Sequence, residues 1–114
     1  MGDSVAPMRH VQFHIADIEL GPRSLPLKYG TVQIVERDDV IDWEIVLHTI
    51  EVEPVAQAIH PLAFRAITGA DDAGTLTFSH FRGEAALVRW VDTTLVFRGA
   101  GLLSGFETGH WSSA

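Results

Sequence analysis

Six histidines and fifteen carboxylates are the groups in this chain best suited to chemistry. His10 and His14 share one face of an alternating segment, with Gln12 between them. Imidazole is the commonest metal ligand. Residues four apart on a strand, however, lie about 13 Å apart along the backbone, so this pair would need a ligand from a neighbouring strand to hold one ion. A polar face turned toward solvent or a partner fits the pattern better, and no metal site is expected. His48 and His80 stand in segments whose opposite faces are apolar, which suits a hydrogen-bonded structural imidazole more than a catalytic base. His110 belongs to the terminal run Gly109-His110-Trp111-Ser112-Ser113-Ala114, free to lie loose or to touch a neighbour.

The carboxylates gather at Asp38-Asp39-Asp42, Glu51 and Glu53, and Asp71-Asp72. Paired-carboxylate catalysis needs two acids across a groove with one pKa raised by burial. Acids clustered in turns are solvated and serve turn formation instead. Nucleophile motifs fail on spacing: Ser104 in Gly101-Leu102-Leu103-Ser104-Gly105 lacks the strand-turn-helix G-x-S-x-G pattern. Gly99, Gly101 and Gly105 do not make a dinucleotide loop, because the spacing is wrong and no helix follows. No catalytic residue and no cofactor is therefore expected.

Composition narrows the classes further. The chain has 114 residues and a formal charge of −7, from 15 acidic and 8 basic side chains. One domain with one core fits that length. An acidic surface repels phosphate backbones and anionic lipid, so neither a nucleic-acid nor a membrane partner is expected. Arg65, Arg82, Arg89 and Arg98 could still form a local basic patch. Cysteine and asparagine are absent, which removes disulfides, thiolate sites and glycosylation sequons. The first residues have neither a basic n-region nor an apolar h-region, and no apolar run reaches the roughly 20 residues of a spanning helix. A cytoplasmic location is expected, compatible with incorporation into a larger particle.

The elements that must position these groups are strands. Val11, Phe13 and Ile15 alternate, and the apolar positions then change parity to Ile18 and Leu20, which requires a bulge or bend near Ala16-Asp17. Strands are predicted over Tyr29–Arg37, Trp43–Val52, Leu62–Thr68, from Leu76, over Ala85–Val91 and over Thr94–Arg98. Turns fall at Gly21-Pro22, Asp38-Asp39, Gly69–Gly74 and Asp92-Thr93. Pro54, Val55, Ile59 and Pro61 suggest a short helix over residues 53–61, with an irregular crossover as the alternative. The glycine-rich stretch from Gly99 is either an edge strand or a strap over one end. Gly30–Val35 echoes Gly83–Val88 in the spacing of glycine and apolar residues, as a duplicated hairpin would, although two alternating strands can also match by coincidence.

This pattern specifies an all-β single domain: an antiparallel β-barrel or β-sandwich of about seven or eight short strands with one short helix. Residues 1–8 read as an N-terminal extension, 9–107 as the β domain and 108–114 as a C-terminal tail. Trp43, Trp90, Phe64, Phe78 and Phe97 read as core, while Trp111 has no evident core to join. Ile45-Val46-Leu47 and Ala85-Ala86-Leu87-Val88 are apolar on both strand faces, and a domain with at most one helix must borrow outside cover from another subunit. The function expected is a non-enzymatic, self-associating or protein-binding module, comparable at fold level to structural subunits of phage-like or secretion assemblies. His10, Gln12, His14 and Trp111 are its candidate partner-binding residues. The alternative is a small barrel holding an apolar small molecule, as in an isomerase or cyclase.

Overall fold

Strict alternation of side chains decides the architecture. In β1 (Arg9–Leu20) the buried residues are Val11, Phe13 and Ile15, then Ile18 and Leu20. The parity change is a register shift between Ile15 and Asp17 in the pairing with β5 (Ile59–Ala70), where the sequence demands one. The remaining strands are β2 (Arg23–Ser24), β3 (Leu27–Arg37), β4 (Val40–Thr49), β6 (Leu76–Val91) and β7 (Thr94–Gly99). All pairings are antiparallel, in the order β2-β1-β3-β4-β7-β6-β5. The additional β1–β5 ladder closes the six longer strands into a barrel, with β2 hanging on β1. The computed structural model describes residues 8–113; residues 1–7 of the expected extension and Ala114 of the expected tail lie outside the described residues.

Of the two expected layouts, the chain adopts the barrel. Its interior is filled by its own side chains: Val32, Ile34, Ile45, Leu47, Phe81, Leu95 and Phe97 are fully buried, and Phe13, Trp43 and Phe64 nearly so. Interiors of small barrels are normally filled in this way. Phe81 is the hub, with ring centroids 5.7 Å from Phe64, 5.9 Å from Phe106 and 6.4 Å from Phe13.

The barrel is built from two three-stranded meanders, β1-β3-β4 and β5-β6-β7. Their first strands pair with each other, and so do their last strands, β4 with β7. The two echoing segments of the sequence fall on β3 and β6, the middle strands of the two meanders.

Two corrections concern helices and aromatics. Residues 53–61 do not form a helix. The carbonyls of Pro54, Ala56 and Ala58 instead accept from Arg23 Nη1 (2.7 Å), the His60 ring (2.7 Å) and the Leu87 backbone N–H (3.0 Å). Partners at every second residue hold the chain as an extended crossover, with Val55 buried beneath it. The helical turn sits instead at Thr108–Ser113, a 3-10 helix in the stretch expected to be a tail. Trp90 and Phe78, expected in the core, are 42% and 40% exposed. Trp90 is the next-to-last residue of β6: a register shift between Leu87 and Arg89 sets it opposite the buried Leu95, but at the rim of the barrel, where the ring stays partly exposed. Phe78 lies on the outer face of β6 with Leu76 and His80, where Arg65 stacks on its ring.

The turns use the chemistry their geometry needs. Asp38 and Asp39 both have positive φ (53° and 63°), the type I′ pattern that matches the twist of a two-residue hairpin. With no asparagine in the chain, aspartate fills both positions. At the β5–β6 turn, Asp71 Oδ1 accepts the backbone N–H groups of Ala73 (2.9 Å) and Thr75 (2.8 Å).

Candidate functional site

The mouths of the barrel carry the features that are not spent on the fold. At the end where β7 stops, residues 100–107 run as a strap across the opening. Ala100 N–H donates to Glu84 O (2.7 Å), and Ser104 and Arg82 exchange backbone hydrogen bonds (2.7 and 3.0 Å). Trp43 anchors the strap, with its indole Nε1–H donating to Gly101 O (2.9 Å). The ring lies flat on β6 and β7. A Cβ at Gly83 would come 2.6 Å from Trp43 Cζ2, and one at Gly99 would also strike the indole. Both positions therefore require glycine.

Beyond the strap, the 3-10 helix lays His110 against Phe81 (5.3 Å) and Phe106 (5.4 Å). Ser79 Oγ lies 3.1 Å from His110 Nε2, the spacing of a nucleophile and its general base. The polarity is the reverse of a catalytic pair. His110 Nδ1 accepts the Glu107 backbone N–H (2.8 Å), so in the neutral ring Nε2 carries the proton and donates to Ser79. Ser79 then bonds to Thr68 Oγ1 (2.8 Å). A nucleophile needs an unprotonated nitrogen aimed at it; here the imidazole and both hydroxyls tie the strap to β5 and β6.

His10, Gln12 and His14 all lie exposed on the outer face of β1, opposite Val35, Gln33 and Thr31 of β3. Gln33 Nε2 donates to Gln12 Oε1 (3.0 Å). No cluster of three metal-binding side chains occurs among the described residues. Trp111 is not on this face. It lies around the rim of the mouth, half-buried, edge-on to Phe106 (4.9 Å) and beneath the Arg9 guanidinium (4.8 Å). The structure thus brings three of the four candidate residues together and gives the fourth an intramolecular seat. His48, also facing outward, stacks on Tyr29 (4.2 Å) and approaches Thr94 Oγ1 (3.3 Å). Arg65 bonds to Asp17, and that hydrogen bond and the opposite charge raise its pKa further above the ordinary arginine value.

The sequence reading missed the exposed apolar groups at the two mouths. At the strap end Val40, Ile41 and Leu102 are 58%, 40% and 89% exposed. They border a groove of about 730 Å³ between β4 and the strap. At the opposite, crossover end Ile50, Val52, Val88, Trp90 and Val91 are all about half exposed. Thr49 N–H donates to Thr93 O (2.8 Å), which joins the start of the crossover to the β6–β7 turn. The signal was present in position: apart from Val88, which the doubly apolar run Ala85-Ala86-Leu87-Val88 already marked, each of these residues is apolar and lies at a strand end or in a connection, where a barrel has no interior left to receive it. The doubly apolar strands behave similarly, with Val46 and Ala86 half-buried on the outer wall and Val88 exposed.

No protein-family model, curated protein or solved structure matches this chain. No helix among the described residues is long and apolar enough to cross a membrane.

Proposed function

We propose that this chain is a non-enzymatic β-barrel interaction module that self-associates through its crossover end. The observation that carries the reading is the apolar group Ile50, Val52, Val88, Trp90 and Val91, uncovered at one end of a barrel whose interior is already packed. Contiguous apolar surface is the usual mark of a protein interface, and aromatic residues are favoured at its centre. Trp90 supplies such a centre, its Nε1–H already satisfied by Asp92 O (3.0 Å), so burying the ring leaves no unpaired donor. The hydrogen-bond polarity of the Ser79–His110 pair, the reverse of a nucleophile and its base, supports a non-enzymatic role. The alternative, a barrel enclosing an apolar small molecule, would need the volume that Phe13, Phe64, Phe81 and Phe97 occupy.

Sedimentation velocity, with native mass spectrometry alongside, tests this. A defined oligomer at micromolar concentration is expected, converted to monomer by Trp90→Glu combined with Val88→Glu, with the circular dichroism of the barrel retained. A wild-type monomer would overturn the reading. Loss of a few hundred daltons on denaturation would favour the ligand-holding barrel instead.

A further inference from the structure

The barrel is one strand short at its strap end. β4 pairs with β3 along its whole length, from Arg37↔Val40 to Leu27↔Thr49, but with β7 only from Glu44 onward. Residues 40–43 therefore have no strand on their second side among the described residues. The two-residue turn fixes which backbone groups are left over. In such hairpins the closing pair, here Arg37 and Val40, turns its N–H and C=O toward each other. The next residue, Ile41, directs its own pair away from β3 and toward the groove. The far wall of that groove is the strap, with Leu102 standing 89% exposed. A free backbone edge beside apolar walls is the arrangement by which a sheet accepts an added strand.

The charges select the occupant. Asp39 and Asp42 are the ionisable groups lining the groove, and no cation lines it. Among the described residues neither they nor Asp38 is in an ion pair. Pairing β4 with the same edge of a second copy would set these carboxylates against one another, and like charges across a strand pair are destabilising. We infer that the slot between residues 40–43 and the strap binds an extended segment of a partner protein in which apolar residues alternate with arginine or lysine. The segment adds to β4 through main-chain hydrogen bonds at Ile41. Its apolar side chains lie on the face of Ile41, with Leu102 on the far wall, and its cations lie on the other face, beside Asp42, with Asp39 at the turn. The free edge spans about 13 Å, room for four residues. This inference is independent of self-association at the crossover end.

The test titrates the full chain into a fluorescein-labelled peptide of sequence Arg-Val-Arg-Ile-Arg-Val, followed by fluorescence anisotropy, with Glu-Val-Glu-Ile-Glu-Val as comparison. The basic peptide is expected to bind at least roughly tenfold more tightly, with affinity falling as salt rises. Ile41→Pro removes the edge N–H without touching a bond to β3 and should abolish binding. Asp39→Asn with Asp42→Asn should weaken it by about three- to tenfold, and this pair keeps the test valid should the proline variant fail to fold. Absence of binding by the basic peptide, equal binding of the two peptides, or full binding by folded Ile41→Pro would each overturn the inference. So would a change in sedimentation of Ile41→Pro without peptide, which would make a second copy the occupant.

Discussion

The two ends of the barrel are closed by opposite means. At the strap end the seal is aromatic: Phe106 touches Phe81, His110 and Trp111, and His110 also touches Phe81, the ring centroids 4.9 to 5.9 Å apart. At the crossover end it is aliphatic, with Leu20, Leu25 and Val55 buried beneath an extended segment. Flat rings cover wide area with few torsions to order. A short irregular chain can therefore span one mouth on rings and three side-chain hydrogen bonds, added to the backbone bonds of Ala100 and Ser104 to β6. Aliphatic side chains are smaller, so the opposite end relies on backbone partners: Leu25 N–H to Ile18 O, Ile50 N–H to Pro26 O, and Thr49 Oγ1 toward the carbonyls of Glu51 and Thr93. The strap leaves a slot beside β4, and the crossover leaves an apolar patch. The two proposed partner surfaces are what these closures leave uncovered.

If the ends are independent seals, damage to one should stay there. Trp43→Ala is the most severe test, because it empties a buried ring and releases the strap at Gly101. A loss of about 3–5 kcal/mol in urea denaturation is expected. Amide exchange at Ser104 and Arg82 should quicken well before that at Leu25. Equal acceleration at both ends would show that they open as one unit. Val55→Ala removes two methyl groups from the other seal, worth about 2 kcal/mol with the cavity left behind. It should hasten exchange of the Leu87 amide, which bonds to Ala58 O, and leave Ser104 protected. His110→Phe keeps a ring in place and deletes its hydrogen bonds to Ser79 and Glu107. A loss of about 1 kcal/mol is expected, and an unchanged denaturation midpoint would assign the whole seal to ring packing. The Asp17–Arg65 ion pair belongs to neither end and is open to water, with Asp17 56% and Arg65 41% exposed. Asp17→Asn should leave the midpoint where it was.

The wall of the barrel was legible because alternation is a local code. The parity change at Ala16-Asp17, the Asp38-Asp39 turn and the inward set Leu95 and Phe97 could each be read from a few adjacent residues. The seals were not legible, because neither is periodic. Pro54 and the Val55/Ile59 spacing imitate a helix start, and only partners distant in sequence, Arg23 and Leu87, show that the carbonyls are used elsewhere. Trp111 looked stranded because its neighbours Phe106 and Arg9 come from a loop and from the far end of the chain. The second register shift, after Leu87, was missed, and the exposure of Trp90 follows from its place at the end of β6, which alternation does not encode. His10, Gln12 and His14 were placed on an outer face by parity alone, and that is where they lie.

The pairing of first strand with first and last with last has a consequence for the order of events during synthesis. The β1–β5 ladder joins residues such as His14 and Ile67, and the β4–β7 ladder joins Ile45 and Phe97. Neither seam can form until the second meander has left the ribosome. Until then β1-β3-β4 is an open sheet with two bare edges and one largely apolar face. Such non-local topologies fold on the slower, millisecond-to-second scale, and an incomplete sheet of this kind is a template for pairing with other chains. Asp38, Asp39 and Asp42 lie on the hairpin of that early sheet, so edge-to-edge pairing of two nascent copies there would set like charges against one another.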